Sequence, residues 1–126
     1  MPIQLNHTIV KARDPRASAE LLAELLGRGA PVRYGPFLGV EIDNGVTLDF
    51  MQVDGEVDWQ HYAFLVSESE FDTIFGRIQS RNLTYWGDPQ KRKPGEVYAW
   101  NGGRGVYFEE PGGHFLEIIT RPYGGL

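Results

Sequence analysis

Residues 106–118 read Val-Tyr-Phe-Glu-Glu-Pro-Gly-Gly-His-Phe-Leu-Glu-Ile, two apolar runs separated by a turn that contains proline and glycine. Short apolar runs on either side of such a turn predict two β-strands. Glu117 lies inside the second strand between apolar neighbours, where a carboxylate is costly to bury unless it is paired or bound to a metal. Glu117 is therefore the first candidate for a functional residue.

A strand that opens with a histidine precedes this carboxylate, and the same arrangement occurs earlier in the chain. His61 opens one such strand and belongs with Glu117, whereas His7 opens another and belongs with Asp49. Residues 39–41 also match residues 105–107, each set lying before a glycine-containing turn. The second copy is the longer one, and we place its extra residues in a long loop. This repetition predicts two similar modules.

Local signals predict the order strand, helix and three strands in each module. In the first module, Asp14 caps a helix that has Pro15 in its first turn and ends at Gly27. Asn44-Gly45 predicts a two-residue hairpin turn. Residues 3–10 are expected to form the first strand.

The second module carries the same signals in the same order. Ser67 and Glu70 form a capping box, and apolar residues at helical spacing follow at Phe71, Ile74, Phe75 and Ile78. We therefore predict an α+β fold of two tandem βαβββ modules, at about 1–56 and 57–126, within a single domain that spans 1–126.

Composition excludes several classes of function. The chain has 126 residues, a formal net charge of −5 and a pI near 5.1, which argues against a basic nucleic-acid-binding surface. It has no cysteine, and so no thiolate ligand or nucleophile. Without a signal-like leader or an apolar run long enough for a membrane, we expect a cytoplasmic protein.

Strand alternation places the repeated histidines and carboxylates on the sheet face away from the helix of each module. Two imidazoles with one or two carboxylates suit a divalent ion such as Zn, Fe, Mn, Ni or Co and leave positions for water or substrate. The predicted metal ligands are therefore His7, His61, Glu117 and Asp49. His114 is an odd number of residues from Glu117, which favours a turn or an outer position, with a catalytic role as the alternative.

The simpler interpretation is that these residues stabilise the fold. A histidine in a strand is often a hydrogen-bonded core residue, and Glu117 would then pair with Arg104 or Arg121. The occurrence of the pattern at matching positions of two modules favours the metal site.

Residues 5–7, 61–64 and 106–118 together resemble the vicinal oxygen chelate superfamily, the group of glyoxalases, bleomycin resistance proteins and extradiol dioxygenases. The last segment is similar to the family's strand, Asp-Pro-Asp-Gly-His turn and glutamate-bearing strand, with Glu110 in place of the first aspartate. The resemblance implies curved mixed sheets and a homodimer in which two chains share each metal site.

The resemblance also implies roles for individual residues. His7, His61 and Glu117 fall on the family's ligand positions, and Asp49 falls where glyoxalase I enzymes have a glutamate. Tyr107 matches a tyrosine of the fosfomycin-modifying branch, although this chain lacks that branch's serine-containing loop and late arginine. Glu117, Tyr107 and His114 are the predicted catalytic residues.

We predict a divalent-metal-dependent enzyme of the glyoxalase or dioxygenase type, a lyase, an isomerase or an extradiol dioxygenase. Its small substrate would chelate the ion through neighbouring oxygens. The alternative is a metal-free protein that sequesters a drug or natural product, as bleomycin resistance proteins do. The long loop at 87–103 would act as a lid with glycine hinges. The candidate substrate-binding residues are Trp100, Tyr98, Arg104 and Met51.

Overall fold

The computed structural model describes residues 2–122, and the chain divides into two compact units, Met1–Val57 and Asp58–Leu126. Among the described residues, each unit contains one helix and one mixed sheet, which confirms the α+β class. No helix within residues 2–122 has the length and apolar character needed to cross a membrane.

Unit 1 is a four-stranded sheet with one helix. Its strands lie in the order β1-β4-β3-β2, with β1 parallel to β4 and the other pairs antiparallel. The elements are β1 (His7–Ala12), α1 (Pro15–Leu26), β2 (Val32–Tyr34), β3 (Phe37–Glu41) and β4 (Thr47–Gln52).

The first helix begins and ends as the sequence predicts. The Asp14 side chain accepts a hydrogen bond from the Ala17 backbone N–H at 3.1 Å, and Pro15 occupies the first turn. Gly27 ends the helix in a left-handed conformation with φ of 68°, which glycine adopts without strain. The apolar side of α1 covers one face of the sheet, where the buried residues include Val10, Val40, Leu48 and Phe50.

Unit 2 repeats this plan with one additional strand. Its strands lie in the order β5-β9-β8-β6, β5 is parallel to β9, and β7 also pairs with β8. The elements are β5 (His61–Leu65), α2 (Glu68–Ser80), β6 (Tyr85–Trp86), β7 (Tyr98–Trp100), β8 (Gly103–Glu109) and β9 (Phe115–Ile119).

The second helix carries the predicted capping box. The Glu70 backbone N–H donates to Ser67 Oγ at 3.1 Å, and the Ser67 backbone N–H donates to Glu70 Oε1 at 3.0 Å. Phe71, Ile74 and Ile78 are buried. The helix lies on the sheet face that carries Tyr85, because the Phe75 and Tyr85 rings pack edge to face at 5.0 Å.

Two predicted features of unit 1 are placed differently. The first strand begins at His7, because β4 begins at Thr47, which pairs with His7 and leaves residues 3–5 without a partner in that strand. The turn at Asn44-Gly45 is a three-residue loop closed by the Ile42 N–H, which donates to the Val46 carbonyl at 2.7 Å. Gly45 at φ of 82° supplies its left-handed position.

The long loop predicted in unit 2 contains a strand. Trp100 pairs with Gly103 across a two-residue turn, Asn101-Gly102, in which both residues have positive φ, at 49° and 78°. This is the geometry of a tight hairpin between twisted strands. Gly103 and Gly105 therefore lie in strand β8, and the structure does not make them hinges of a lid.

Strand register relates the two units residue by residue. His7 pairs with Thr47, two residues before Asp49, and His61 pairs with Phe115, two residues before Glu117. However, Gly39 pairs with Asp49, whereas Tyr107 pairs with Glu117. Residue 39 is thus the counterpart of residue 107, and the alignment of residues 39–41 with 105–107 was wrong by two positions.

Candidate functional site

One face of the unit 2 sheet is free of α2 and carries both predicted ligands of that unit. Because side chains alternate, His61 lies on the same side as Phe115 and Glu117. Tyr107, paired with Glu117, and Gly105 follow on the next strand. We call this the open face of unit 2: His61, Phe115, Glu117, Tyr107 and Gly105.

His61 and Glu117 are in direct contact on the open face. Nε2 of His61 lies 3.1 Å from Oε1 of Glu117, and Nδ1 lies 2.9 Å from the Phe115 carbonyl oxygen. A carbonyl oxygen only accepts, so Nδ1 carries the proton and donates. Nε2 then carries its lone pair toward Glu117 unless the imidazole is cationic. Metal-binding histidines are commonly oriented in this way, by a hydrogen bond from the other ring nitrogen.

The positions of His61 Nε2 and Glu117 Oε1 suit two ligands of one shared cation. Two lone-pair-bearing atoms facing each other are stabilised only by a positive charge, either a proton or a metal ion. Neighbouring ligands at about 2.1 Å from one ion are roughly 3.0–3.4 Å apart in octahedral or tetrahedral sites, and the observed 3.1 Å lies in that range. Within residues 2–122, no group of three or more His, Asp or Glu side chains converges closely enough to hold an ion.

The second oxygen of Glu117 is held by a tyrosine. The Tyr98 hydroxyl donates to Oε2 at 2.5 Å, and Glu117 as a whole is only 3% exposed. The Tyr98 ring occupies the space where a side chain of residue 105 would stand, because a Cβ built on Gly105 would lie 2.1 Å from its Cζ. The buried carboxylate therefore has a partner on each oxygen.

Aromatic rings border this pair. Tyr107 and Phe115 stack at 5.3 Å with 12° between their planes, and Tyr98 lies 5.8 Å from Tyr107. Trp59 and Trp86 contact Phe115 at 6.2 and 5.8 Å. We call these five rings, which lie beside His61 and Glu117, the aromatic wall. Tyr107, Phe115 and Trp86 are buried, Tyr98 is half-buried and Trp59 is exposed.

Lys91 brings a positive charge to the aromatic wall. Its Nζ lies 4.9 Å from the centre of the Trp86 ring and 5.1 Å from that of Phe115, and it contacts Glu109 Oε1 at 2.5 Å. The Asp88 carboxylate accepts hydrogen bonds from the backbone N–H groups of Arg92 and Lys93, which orders the loop.

In unit 1, His7 and Asp49 lie on the sheet face opposite α1. His7 is exposed and its Nδ1 lies 2.7 Å from Asn6 Oδ1, and Asp49 is half-buried. Oδ1 of Asp49 lies 3.0 Å from the point where a Cβ of Gly39 would stand. A cavity of about 470 Å³ opens on this face, and its lining includes Tyr34, Gly39 and Thr47. Met51 is half-buried, two residues after Asp49 in the same strand.

Arg104, predicted to bind substrate, lies on the other side of the unit 2 sheet. Its guanidinium covers the Phe71 ring at 4.3 Å and pairs with Glu68 at 2.8 Å and Asp72 at 2.9 Å. The hydrogen bond to Asp72 raises the pKa of Arg104. Hydrogen bonds from Thr120 and Arg104 lower the pKa of Glu68. Strand alternation explains this placement, because residue 104 and residue 105 point to opposite faces.

His114 is buried in the turn before β9. The Gln60 backbone N–H donates to His114 Nδ1 at 2.9 Å, and the His114 backbone N–H donates to Glu110 Oε1 at 3.1 Å. The bond from Gln60 joins the turn to the residue before β5, and the bond to Glu110 closes the turn on itself. A catalytic role for His114 stays a prediction. Trp100 lies at 39% exposure in β7, opposite Gly103.

Sequence reasoning missed the contact between Tyr98 and Glu117. Asn101-Gly102 was the available signal, since this dipeptide predicts a two-residue hairpin that pairs residue 98 with residue 105. The sequence placed Tyr98 among the candidate substrate-binding residues, without indicating that its hydroxyl contacts the carboxylate of a predicted metal ligand.

Two curated proteins are similar to this chain over most of its length. Glutathione transferase FosA of Serratia marcescens is 31% identical over 97% of this chain and 92% of its own length. Metallothiol transferase FosB of Lysinibacillus sphaericus is 24% identical over 92% of this chain and 81% of its own length. A comparison with protein-family models found no match.

Two solved structures are similar in both fold and sequence. Oxidase ChaP-H1 has a TM-score of 0.95 and 59% identity, covering 98% of this chain and all of that one. Oxidase ChaP-H2 has a TM-score of 0.96 and 60% identity, with full coverage of both chains. Two successive units, each with one helix on a mixed sheet, define the fold of glyoxalase-type proteins. The chain belongs to the vicinal oxygen chelate superfamily.

Proposed function

We propose that this protein is a divalent-metal-dependent enzyme that uses dioxygen to oxidise a small aromatic substrate bearing neighbouring oxygen atoms. The observation that carries the proposal is the His61–Glu117 donor pair, 3.1 Å apart, beside the aromatic wall. The identity of 59–60% to two proteins named oxidases supports oxidation over the other reactions of this superfamily.

His61 and Glu117 would hold the ion, and His7 would complete the ligand set. Because no three suitable side chains converge within residues 2–122, a third ligand from a second copy of the chain is the simplest completion. We therefore propose a homodimer in which His7 of one subunit joins His61 and Glu117 of the other, with Asp49 as a further candidate.

His61 and Glu117 would hold an ion that supplies a positive charge for the neighbouring oxygens of the substrate. The aromatic wall would receive the ring of the substrate, since offset and edge-to-face contacts favour aromatic partners. Lys91 would attract an acidic oxygen of that substrate from the edge of the wall. Tyr107 and His114 remain the catalytic candidates, and Trp100, Met51 and Tyr98 the candidates for substrate contact.

Metal analysis followed by oxygen uptake tests this function. Protein purified without chelator, then loaded separately with Fe²⁺, Mn²⁺ or Co²⁺, is mixed with catechol or 1,2-dihydroxynaphthalene under air. We expect about one ion per chain and oxygen uptake that disappears with EDTA and with Glu117→Gln. Full uptake by metal-free protein would contradict the proposal.

The other activities of the superfamily form the remaining arms of the experiment. Conjugation of glutathione to fosfomycin, with no oxygen uptake, would indicate a glutathione transferase, the activity in the name of the Serratia marcescens relative. Absence of metal together with tight, unreactive binding of an aromatic compound would indicate sequestration.

The cytoplasmic location also remains a prediction and is tested by fractionation of the source cells.

A further inference from the structure

Glu117 is a buried carboxylate whose two oxygens face different partners. Oε1 faces His61 Nε2 at 3.1 Å, and Oε2 accepts the Tyr98 hydroxyl hydrogen at 2.5 Å. A tyrosine hydroxyl must act as donor toward a carboxylate, so this bond marks Oε2 as occupied and leaves Oε1 facing the imidazole.

The position of the Tyr98 ring depends on residue 105. Tyr98 is paired with Gly105 across strands β7 and β8, and a Cβ at residue 105 would lie 2.1 Å from Tyr98 Cζ and 2.2 Å from its hydroxyl oxygen. The ring therefore passes directly over the Gly105 backbone on its way to Glu117. Glycine is required here for space, because Gly105 is not among the glycines with positive φ.

We propose that Tyr98, seated on Gly105, is a positioning residue that presents Oε1 of Glu117 to the point shared with His61 Nε2. This inference rests on the metal-dependent function proposed above. Without the hydroxyl, Oε2 would lose the donor to which it is bonded in a site that is 3% exposed. The carboxylate would then turn to satisfy Oε2, and Oε1 would no longer be held toward the imidazole.

Titration of metal-free protein with Co²⁺ tests this role, with affinity measured by calorimetry and ligand geometry by visible absorption. Tyr98→Phe keeps the ring and removes the hydroxyl, and we expect about 10- to 100-fold weaker Co²⁺ binding, the loss typical of an outer-sphere partner. Gly105→Ala displaces the ring and should weaken Co²⁺ binding by a similar factor. The double variant should be no weaker than Tyr98→Phe alone, because both changes remove the same bond.

Tyr85→Phe is the matched control, since Tyr85 lies in the same sheet on the face that contacts α2 and its hydroxyl accepts from Gln79. It should bind Co²⁺ as the unchanged protein does. Circular dichroism identifies folded variants, and if Gly105→Ala does not fold, Tyr98→Phe alone decides the question.

The outcomes separate this inference from the function on which it rests. If the unchanged protein binds no Co²⁺, the metal-dependent function fails. If the unchanged protein binds Co²⁺ and folded Tyr98→Phe binds it with equal affinity and the same absorption spectrum, the positioning role fails. A purely structural role for Tyr98 would lower thermal stability and leave Co²⁺ affinity unchanged.

Discussion

Nε2 of His61 lies 3.1 Å from Oε1 of Glu117, although the two residues are 56 positions apart in the sequence. The parallel pairing of β5 with β9 creates this contact, because it sets His61 beside Phe115 and leaves Glu117 two residues further along the same face. The Phe115 carbonyl then accepts the Nδ1 proton and orients the imidazole. This pair can bind a proton or a metal ion, and the predictions below distinguish the two.

Replacing His61 tests the donor pair directly. We expect His61→Ala to weaken Co²⁺ binding by roughly 100-fold or more, because a lost ligand costs more than the about 10- to 100-fold lost with an outer-sphere partner. The protein should stay folded, since the His61 side chain is 39% exposed. Calorimetric titration measures the affinity.

Leu65→Ala, an exposed change in the same strand, serves as the control and should bind Co²⁺ normally. Unchanged Co²⁺ binding by His61→Ala would mean that the pair is only an ion pair between an imidazolium and a carboxylate.

Mixed dimers test whether two chains share each metal site. His7→Ala and His61→Ala chains carrying different affinity tags are produced together, and the mixed dimer is purified through both tags. One of its two sites would then contain both histidines, so we expect about half of the normal Co²⁺ stoichiometry. Neither the His7→Ala protein nor the His61→Ala protein should bind Co²⁺ with normal affinity when it is purified by itself.

If His7 and His61 of the same chain formed the site, every site of the mixed dimer would lack one histidine. An absence of restored binding in a verified mixed dimer would therefore exclude the shared site.

Replacing Phe71 with alanine tests how α2 packs on the sheet. Phe71 is fully buried and lies beneath the Arg104 guanidinium at 4.3 Å. Phe71→Ala should lower the free energy of unfolding by about 3–5 kcal/mol, the usual cost of removing a buried phenylalanine ring. Urea denaturation measures the change.

Phe75→Ala is the comparison, because Phe75 is only half-buried in the same helix and should cost less. An equal loss from both variants would show that the Phe71 ring is not a principal contact of the helix.

The carboxylate of Glu68 should make the free energy of unfolding depend on pH in the acidic range. Hydrogen bonds from Thr120 and Arg104 lower the pKa of Glu68 from 4.5, so the folded protein binds the proton more weakly than the unfolded chain does. The resulting stabilisation is fully present above this unfolded value and is lost as the pH falls through the lowered pKa. We expect Glu68→Gln to reduce the difference in unfolding free energy between pH about 7 and about 3.

Glu56→Gln, at an exposed carboxylate, should leave that difference unchanged. If the free energy of unfolding of Glu68→Gln changed with pH as much as that of the unchanged protein, Glu68 would not be a cause of the pH dependence.

Much of the local structure could be predicted because its causes are local. The caps at Asp14, Gly27 and Ser67 act within one turn of a helix, and they lie where the sequence indicated. The common face of His61 and Glu117 could also be expected, since strand alternation depends only on the parity of residue numbers. The extra strand β7 was missed because its signal, Asn101-Gly102, follows a run of only three residues.

By itself, the sequence determined the repeated strand and helix pattern, the carboxylate in an apolar strand and the histidine that precedes it. Only the tertiary structure decided three contacts. The Tyr98 hydroxyl binds Glu117, the Lys91 ammonium lies over the Trp86 ring of the aromatic wall, and the Arg104 guanidinium pairs with Glu68 of α2. These contacts depend on strand register and on the space above individual backbone positions. The missing Cβ of Gly105 is the clearest case, because glycine in a strand indicates open space without indicating which distant ring will fill it.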